Sequence, residues 1–272
     1  NMHGKTFNLT TPLFSFPTIK LDNSKVSDDP EFFKSLTRNN PLVEIVDIDG
    51  YGRGVVAKKN IKKGSIIIYE EALVTATARS DLCGICLKKP MKPLYSEFKE
   101  ECYCSKDCQN KAWESYFKYL NGRNFNKFRE ILHDSSSDGN KTYMFIIKLF
   151  ASIQLKEEGS NDLKLIPLLK HLYSSHFEGN WSGNVWELFL EFKELLKLQD
   201  NEAFDFQFVY EAYTRISCNA CAIDSAGCDH LTNAAGLFPT YTFINHDCTP
   251  NATWNTDLKI LGNVIEIKAL RD

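Results

Sequence analysis

Two spacings of apolar residues divide the chain. Between Pro41 and Thr77 apolar and polar positions alternate, as in Val43-Glu44-Ile45-Val46-Asp47-Ile48. The β-branched run Ser65-Ile66-Ile67-Ile68-Tyr69 then follows the turn signal Lys63-Gly64. Period-two alternation with β-branched side chains predicts strands, so residues 42–78 read as a small β-meander. After Gln109 the spacing lengthens to three and four. Residues 110–120, 141–157, 162–173 and 185–198 carry Leu, Ile, Phe and Trp in this pattern, as at Val185, Trp186, Phe189 and Leu190, and predict helices. Residues 135–139 and 178–180 read as the loops between them. From about Ile216 strand-like, turn-rich texture returns, through residues 237–244 to Val264-Ile265-Glu266-Ile267. Residues 1–41 hold Pro12, Pro17 and Pro30 with little periodicity and predict an arm laid over the surface.

The pattern therefore describes an α+β chain whose β portion is interrupted twice, by a cysteine-rich stretch and by a helical one. At 272 residues, 43% of them hydrophobic, there is enough apolar material for a substantial core, which excludes a disordered tail. The formal charge of −3 supplies no global basic field and argues against direct nucleic-acid binding. The apolar run Met144-Phe145-Ile146-Ile147 is broken by Lys148, far short of a membrane span, and no charged-then-apolar leader opens the chain. The expectation is a soluble protein of the cytoplasm or nucleus with no membrane partner.

Nine cysteines fall in two groups, five from Cys83 to Cys108 and four from Cys218 to Cys248. In a reducing compartment such clusters point to metal. Cys83-x2-Cys86 and Cys104-x3-Cys108 supply four thiols in two close pairs, the ligand set of tetrahedral Zn2+, and Gly84 eases the first turn. Cys102 fits poorly beside Cys108 and is left out of the shell. Cys218, Cys221, Cys228 and His230 form a second possible zinc set.

Tyr103-Cys104-Ser105-Lys106-Asp107-Cys108-Gln109-Asn110-Lys111-Ala112-Trp113 resembles the second half of a MYND zinc finger. That family binds two zincs, the second through a further cysteine pair and a His-x3-Cys. Tyr116 and Leu120 stand at the His-x3-Cys positions and the inner pair is absent, so the resemblance implies one zinc, with ordinary packing at the second site. Residues 236–252, containing Asn245-His246-Asp247-Cys248-Thr249-Pro250-Asn251, resemble the signature of SET-domain lysine methyltransferases, with Asp247 where Ser is usual. Gly52-Arg53-Gly54-Val55-Val56-Ala57 is similar to the SET N-terminal hairpin, and Cys218-Asn219-Ala220-Cys221-Ala222-Ile223 to the family's Cys-Asn segment.

Taken together, these stretches resemble the SMYD family across residues 42–272. The fold so implied is a SET β-fold split by a MYND-like module and a helical insert. Its parts are an arm at 1–41, the SET N-terminal part at 42–80, the zinc module at 81–120, the insert at 121–217 and the SET core at 218–272. The implied activity is methyl transfer from S-adenosyl-L-methionine to a lysine of a protein substrate. By resemblance Gly52, Arg53, Gly54, Asn219, Asn245 and the backbone of His246 face that cofactor, with Cys218 and Cys221 buried beside it. Tyr241 and Thr242 border the lysine channel. The family's Gly-Glu-Glu-Leu-x-x-x-Tyr segment would lie beyond Asp272, as would its post-SET cysteines, so the resemblance implies a natural polypeptide that continues. A noncatalytic zinc-containing adaptor with a SET-like fold is the competing expectation.

Overall fold

The computed structural model describes residues 25–77, 79–96, 101–134, 137–157, 165–173, 184–198, 204–223, 234–258 and 260–272. Residues 1–24 of the expected arm lie outside the described residues, and within its remainder Pro30–Thr37 form helix α1. Its start is chemically marked: the Asp29 carboxylate accepts from the Phe32 amide at 3.4 Å and Pro30 takes the first turn, where no backbone donor is needed. Phe32 and Phe33 then enter the main core, which is why the segment is anchored.

Strands β1 (Val43–Ile48) and β2 (Gly52–Ala57) form an antiparallel hairpin in which Val43 faces Ala57 and Ile48 faces Gly52. Its turn bends through Gly50 and Gly52, at φ 74° and 71°, a region costly for residues bearing a β-carbon. The expected meander stops there. Strand β3 (Ile66–Glu71) turns away to a partner from the far end of the sequence, and so does β4 (Val74–Thr77).

Next come the short strands β5 (Leu94–Tyr95) and β6 (Cys102–Tyr103), which pair with each other. Helix α2 (Lys106–Ala112) follows and runs through a π-helical turn at Trp113–Phe117 into α3 (Lys118–Leu120). The insert supplies α4 (Asn126–Asp134), α5 (Ser137–Glu157), α6 (Leu165–His171) and α7 (Asn184–Leu195). Helix α5 takes in Ser137, Asp138 and Gly139, which the sequence pattern reads as loop. Its Phe145, Ile146, Ile147, Leu149, Phe150 and Ala151 are all buried, so this stretch of the helix is covered around its whole circumference.

Helix α8 (Phe206–Asn219) closes the expected insert, and its last turn lies where strand texture was expected to begin. Asp205 caps it, accepting from the Phe208 amide at 2.8 Å, and Val209, Ala212 and Ile216 bury one face. The remaining strands are β7 (Cys221–Ile223), β8 (Ala234–Leu237), β9 (Ala252–Asn255) and β10 (Val264–Ala269). They close two sheets of orders β3-β10-β9 and β4-β8-β7, so each joins sequence from both sides of the zinc module and insert. Between β8 and β9 the chain makes a 3-10 turn at Tyr241–Phe243 instead of continuing as strand.

Candidate cofactor and metal sites

The β1–β2 hairpin and the Asn245 segment meet at Gly54. A β-carbon on Gly54 would lie 2.7 Å from the Asn245 amide nitrogen, so the bare glycine is what admits that side chain. Gly54 is buried, while Gly52, Asn245 and His246 are exposed. Arg53 is half-buried and points inward. Its guanidinium carbon lies 5.6 Å from the Phe33 ring centroid and 5.4 Å from that of Phe243, two residues ahead of Asn245.

The turn before Asn245 is held by a carboxylate. Glu70 of β3 accepts from the Thr240 amide at 2.9 Å and the Tyr241 amide at 3.2 Å. Burial raises its pKa, against the lowering effect of those amides. Thr242 is half-buried, and its hydroxyl donates to the Pro239 carbonyl at 2.8 Å. Tyr241 stands edge-on between Phe238, at 6.4 Å between centroids, and Trp254, at 6.3 Å. Desolvation pushes the phenol well above its ordinary value, so it stays protonated.

Asn219 occupies the last position of α8 and is buried. Its amide nitrogen donates to the carbonyls of Tyr173 and Arg215, both at 2.7 Å, which leaves the side-chain oxygen to accept from something else. Cys221 is buried in β7, but Cys218, on the solvent side of α8, is exposed, contrary to the expected burial of both. The His246 ring lies 3.3 Å from the Cys248 sulfur on the surface. The structure thus brings Gly54, Asn245, Arg53 and the Phe243 turn together and fixes Asn219 from the insert side. Sequence reasoning missed Phe33, Glu70, Trp254 and His171, since none lies in a local motif.

The four expected zinc ligands do converge. Cys83, Cys86, Cys104 and Cys108 place their sulfurs within 4.8 Å of one another. Cys86 and Cys104 are 3.4 Å apart and Cys104 and Cys108 3.6 Å. A tetrahedron of Zn–S bonds about 2.3 Å long has edges of about 3.8 Å, so the thiols are already spaced for the ion. The first pair sits on a tight turn in which the Leu87 amide donates to the Cys83 carbonyl at 2.9 Å. Cys108 is fixed by α2, whose Ser105 cap accepts from the Cys108 amide at 3.2 Å. The hydrogen bond between the Cys83 and Cys86 thiols favours one thiolate in the pair, lowering Cys83 and raising Cys86, while burial pushes Cys108 up to about 11. Cys102 turns its thiol to the Leu82 carbonyl at 3.3 Å, outside the cluster. Four sulfurs leave no open position, so this centre is built for structure rather than catalysis. It is the one such cluster found among the described residues, and Cys228 and His230 lie outside those residues.

At the expected place of a second zinc the packing is not ordinary. Leu120 is buried, but the Tyr116 hydroxyl donates to the Glu101 carboxylate at 2.7 Å. Glu101 is in turn ion-paired with Lys148 of α5. The Lys148 ammonium donates to the carbonyls of Thr75 at 2.9 Å and Gly84 at 3.1 Å and lies 5.0 Å from the Tyr116 ring centroid. One buried cation therefore joins the zinc module, strand β4 and the insert.

The model of the SET domain family matches residues 52–272, from the glycine hairpin through β10. The chain belongs to the SET domain family. Among characterised relatives, this SET chain is 25% identical over 224 residues to the histone-lysine N-methyltransferase Smyd1 of Mus musculus, covering 78% of the chain and 42% of the relative. It is 26% identical to the histone-lysine N-methyltransferase ATXR4 of Arabidopsis thaliana, covering 91% and 85%. To human SMYD3, another histone-lysine N-methyltransferase, it is 22% identical, covering 81% and 50%. The chain spans less than half the length of Smyd1 and half that of SMYD3. These similarities and the cysteine cluster bear out the reading of a SMYD-type α+β chain with a MYND-like module. No helix among the described residues is long and apolar enough to cross a membrane.

Proposed function

We propose that this SET chain belongs to a protein-lysine N-methyltransferase that uses S-adenosyl-L-methionine, acting on a lysine-bearing protein of the cytoplasm or nucleus. The observation that carries the reading is the contact between Gly54 and Asn245, which puts two distant motifs on one wall. Bound S-adenosyl-L-methionine supplies a methyl group activated by a sulfonium. The backbone at Gly52, Arg53 and Gly54 closes over one side of it, the Asn245 amide binds its methionine portion and the His246 main chain its adenine. Asn219, with its amide nitrogen occupied, offers an oxygen that accepts from a ribose hydroxyl or an amino group.

On the lysine side, Tyr241 and Thr242 border the channel, with Trp254 and Phe238 extending an apolar wall. A lysine amine with an ordinary pKa near 10.4 must enter neutral to attack, and an apolar wall favours that form by desolvation. Tyr241 is no base, because its phenol keeps its proton. The Cys83, Cys86, Cys104 and Cys108 cluster holds a structural Zn2+ apart from the chemistry.

Calorimetry of the zinc-loaded full-length protein with S-adenosylhomocysteine tests the reading, with one site per chain expected. No binding overturns it in favour of the noncatalytic adaptor. Methyl transfer by Asn245→Ala then tests the site, and a rate equal to the parent's removes Asn245 from it.

A further inference from the structure

Among the described residues, the insert meets the candidate cofactor wall through His171 and Tyr173, two positions apart. His171, the last residue of α6, has its Nδ1 3.4 Å from the Arg53 guanidinium. The next carbonyl, Leu172, accepts from Arg215 of α8, and the one after it, Tyr173, accepts from the Asn219 amide at 2.7 Å. Arg53 and Asn219 are both residues assigned above to the cofactor wall, so His171 and Tyr173 each hold one of its members, and the Leu172 carbonyl ties the segment to α8.

The chemistry at His171 is directional. For Arg53 to donate, Nδ1 must present its lone pair, which leaves the proton on Nε2, and Nε2 lies 3.2 Å from the Asp29 carboxylate. The ring is fully buried and packed against Phe32 and Phe33, at 5.0 and 4.8 Å between centroids. Asp29 is itself fixed as the cap of α1. A relay thus runs from α1 through His171 to Arg53, whose guanidinium also rests on Phe243 just ahead of Asn245.

We infer that the His171–Asp29 relay, with the Leu172 and Tyr173 carbonyls, is a positioning element: it sets the Gly52–Gly54 hairpin and Asn219 for cofactor binding. This rests on the cofactor reading above and extends it, because it makes the insert a working part of the site. It also assigns Arg53 the task of bracing the hairpin from behind.

Two substitutions separate this role from simple packing. His171→Asn retains an acceptor where Nδ1 stood, while His171→Phe fills the ring space and removes both nitrogens. Each is compared with the parent by calorimetry with S-adenosylhomocysteine at pH 7.5, and by hydrogen–deuterium exchange of residues 52–55 without ligand. The Phe variant is expected to bind about tenfold more weakly and to exchange faster at the hairpin, as loss of a charged hydrogen bond requires. The Asn variant keeps the acceptor for Arg53 but loses the Nε2 donor to Asp29, so its affinity should fall between those of the parent and the Phe variant. Equal affinity and equal exchange in the Phe variant overturn the inference. If the parent itself binds no S-adenosylhomocysteine, the cofactor reading fails and exchange alone judges the brace, unchanged protection in the Phe variant overturning it. Should that variant not fold, Arg53→Met takes its place, keeping the apolar stem on Phe33 and Phe243. Parent-like exchange at residues 52–55 in Arg53→Met likewise overturns the inference.

Discussion

The Asn245 amide nitrogen and Gly54 occupy complementary space, with 2.7 Å between that nitrogen and the point where a β-carbon on Gly54 would sit. Gly54→Ala must therefore displace Asn245 and the Ile48 side chain, whose Cδ1 would lie closer still, and overpacking of this kind costs about 1–3 kcal/mol. The expected result is at least tenfold weaker binding of S-adenosylhomocysteine, read by calorimetry, with secondary structure unchanged in circular dichroism. Unaltered affinity would dissociate the glycine from the ligand site.

Removal of one member of the Lys148–Glu101 pair leaves a buried charge without its counterion. Lys148→Met alone is expected to lower unfolding free energy by about 3–5 kcal/mol, whereas the double variant with Glu101→Leu should lose less than either single change. Urea titrations of the three proteins and the parent check this. Additive losses would mean that the two side chains act independently.

Acidification should loosen the molecule at His171. Burial holds its pKa below the ordinary 6.5, against the raising effect of Asp29 and with the lowering effect of Arg53 and Lys170. A base whose folded pKa is depressed takes up its proton more readily when unfolded, so its contribution is present above pH 6.5 and is lost as pH falls toward the folded value. Stability measured from pH 7.5 to 5 should decline more steeply in the parent than in His171→Phe. Parallel curves would assign the decline to other groups.

Metal analysis of the purified protein should return one zinc per chain, lost on Cys104→Ser together with thermal stability. A second equivalent that survives this change would point to Cys218, Cys221, Cys228 and His230.

Much of this architecture was legible because the relevant chemistry is local. Cys83-x2-Cys86 and Cys104-x3-Cys108 announce a metal cluster by spacing alone, and the Asn245 and Gly52-Arg53-Gly54 motifs carry their resemblance within a few residues. The helices at 141–157 and 185–198 were visible in apolar spacing. Helix α1 was missed because its signal is the cap Asp29 with Pro30 rather than a long periodic stretch. Most of α8 falls within the expected helical insert at 121–217, and only its last turn, from Ile216, lies where strand texture is predicted. The pairing of β3 with β10 depends on residues about two hundred positions apart, and local alternation says nothing of such partners. The same distance hid His171, whose neighbour Asp29 is 142 residues away, and the Glu101–Lys148 pair, which tertiary packing alone creates.

The central position of β10 has a consequence for synthesis. On the ribosome, the thiols from Cys83 to Cys108 find all their partners within a short stretch and can gather early. The isoleucine-rich β3 cannot, because its neighbour in the sheet, residues 264–269, is translated last of all the strands described. Nascent chains therefore carry Ile66, Ile67 and Ile68 with an open backbone edge until residues 264–269 have been made, and this is the stretch on which a chaperone would act.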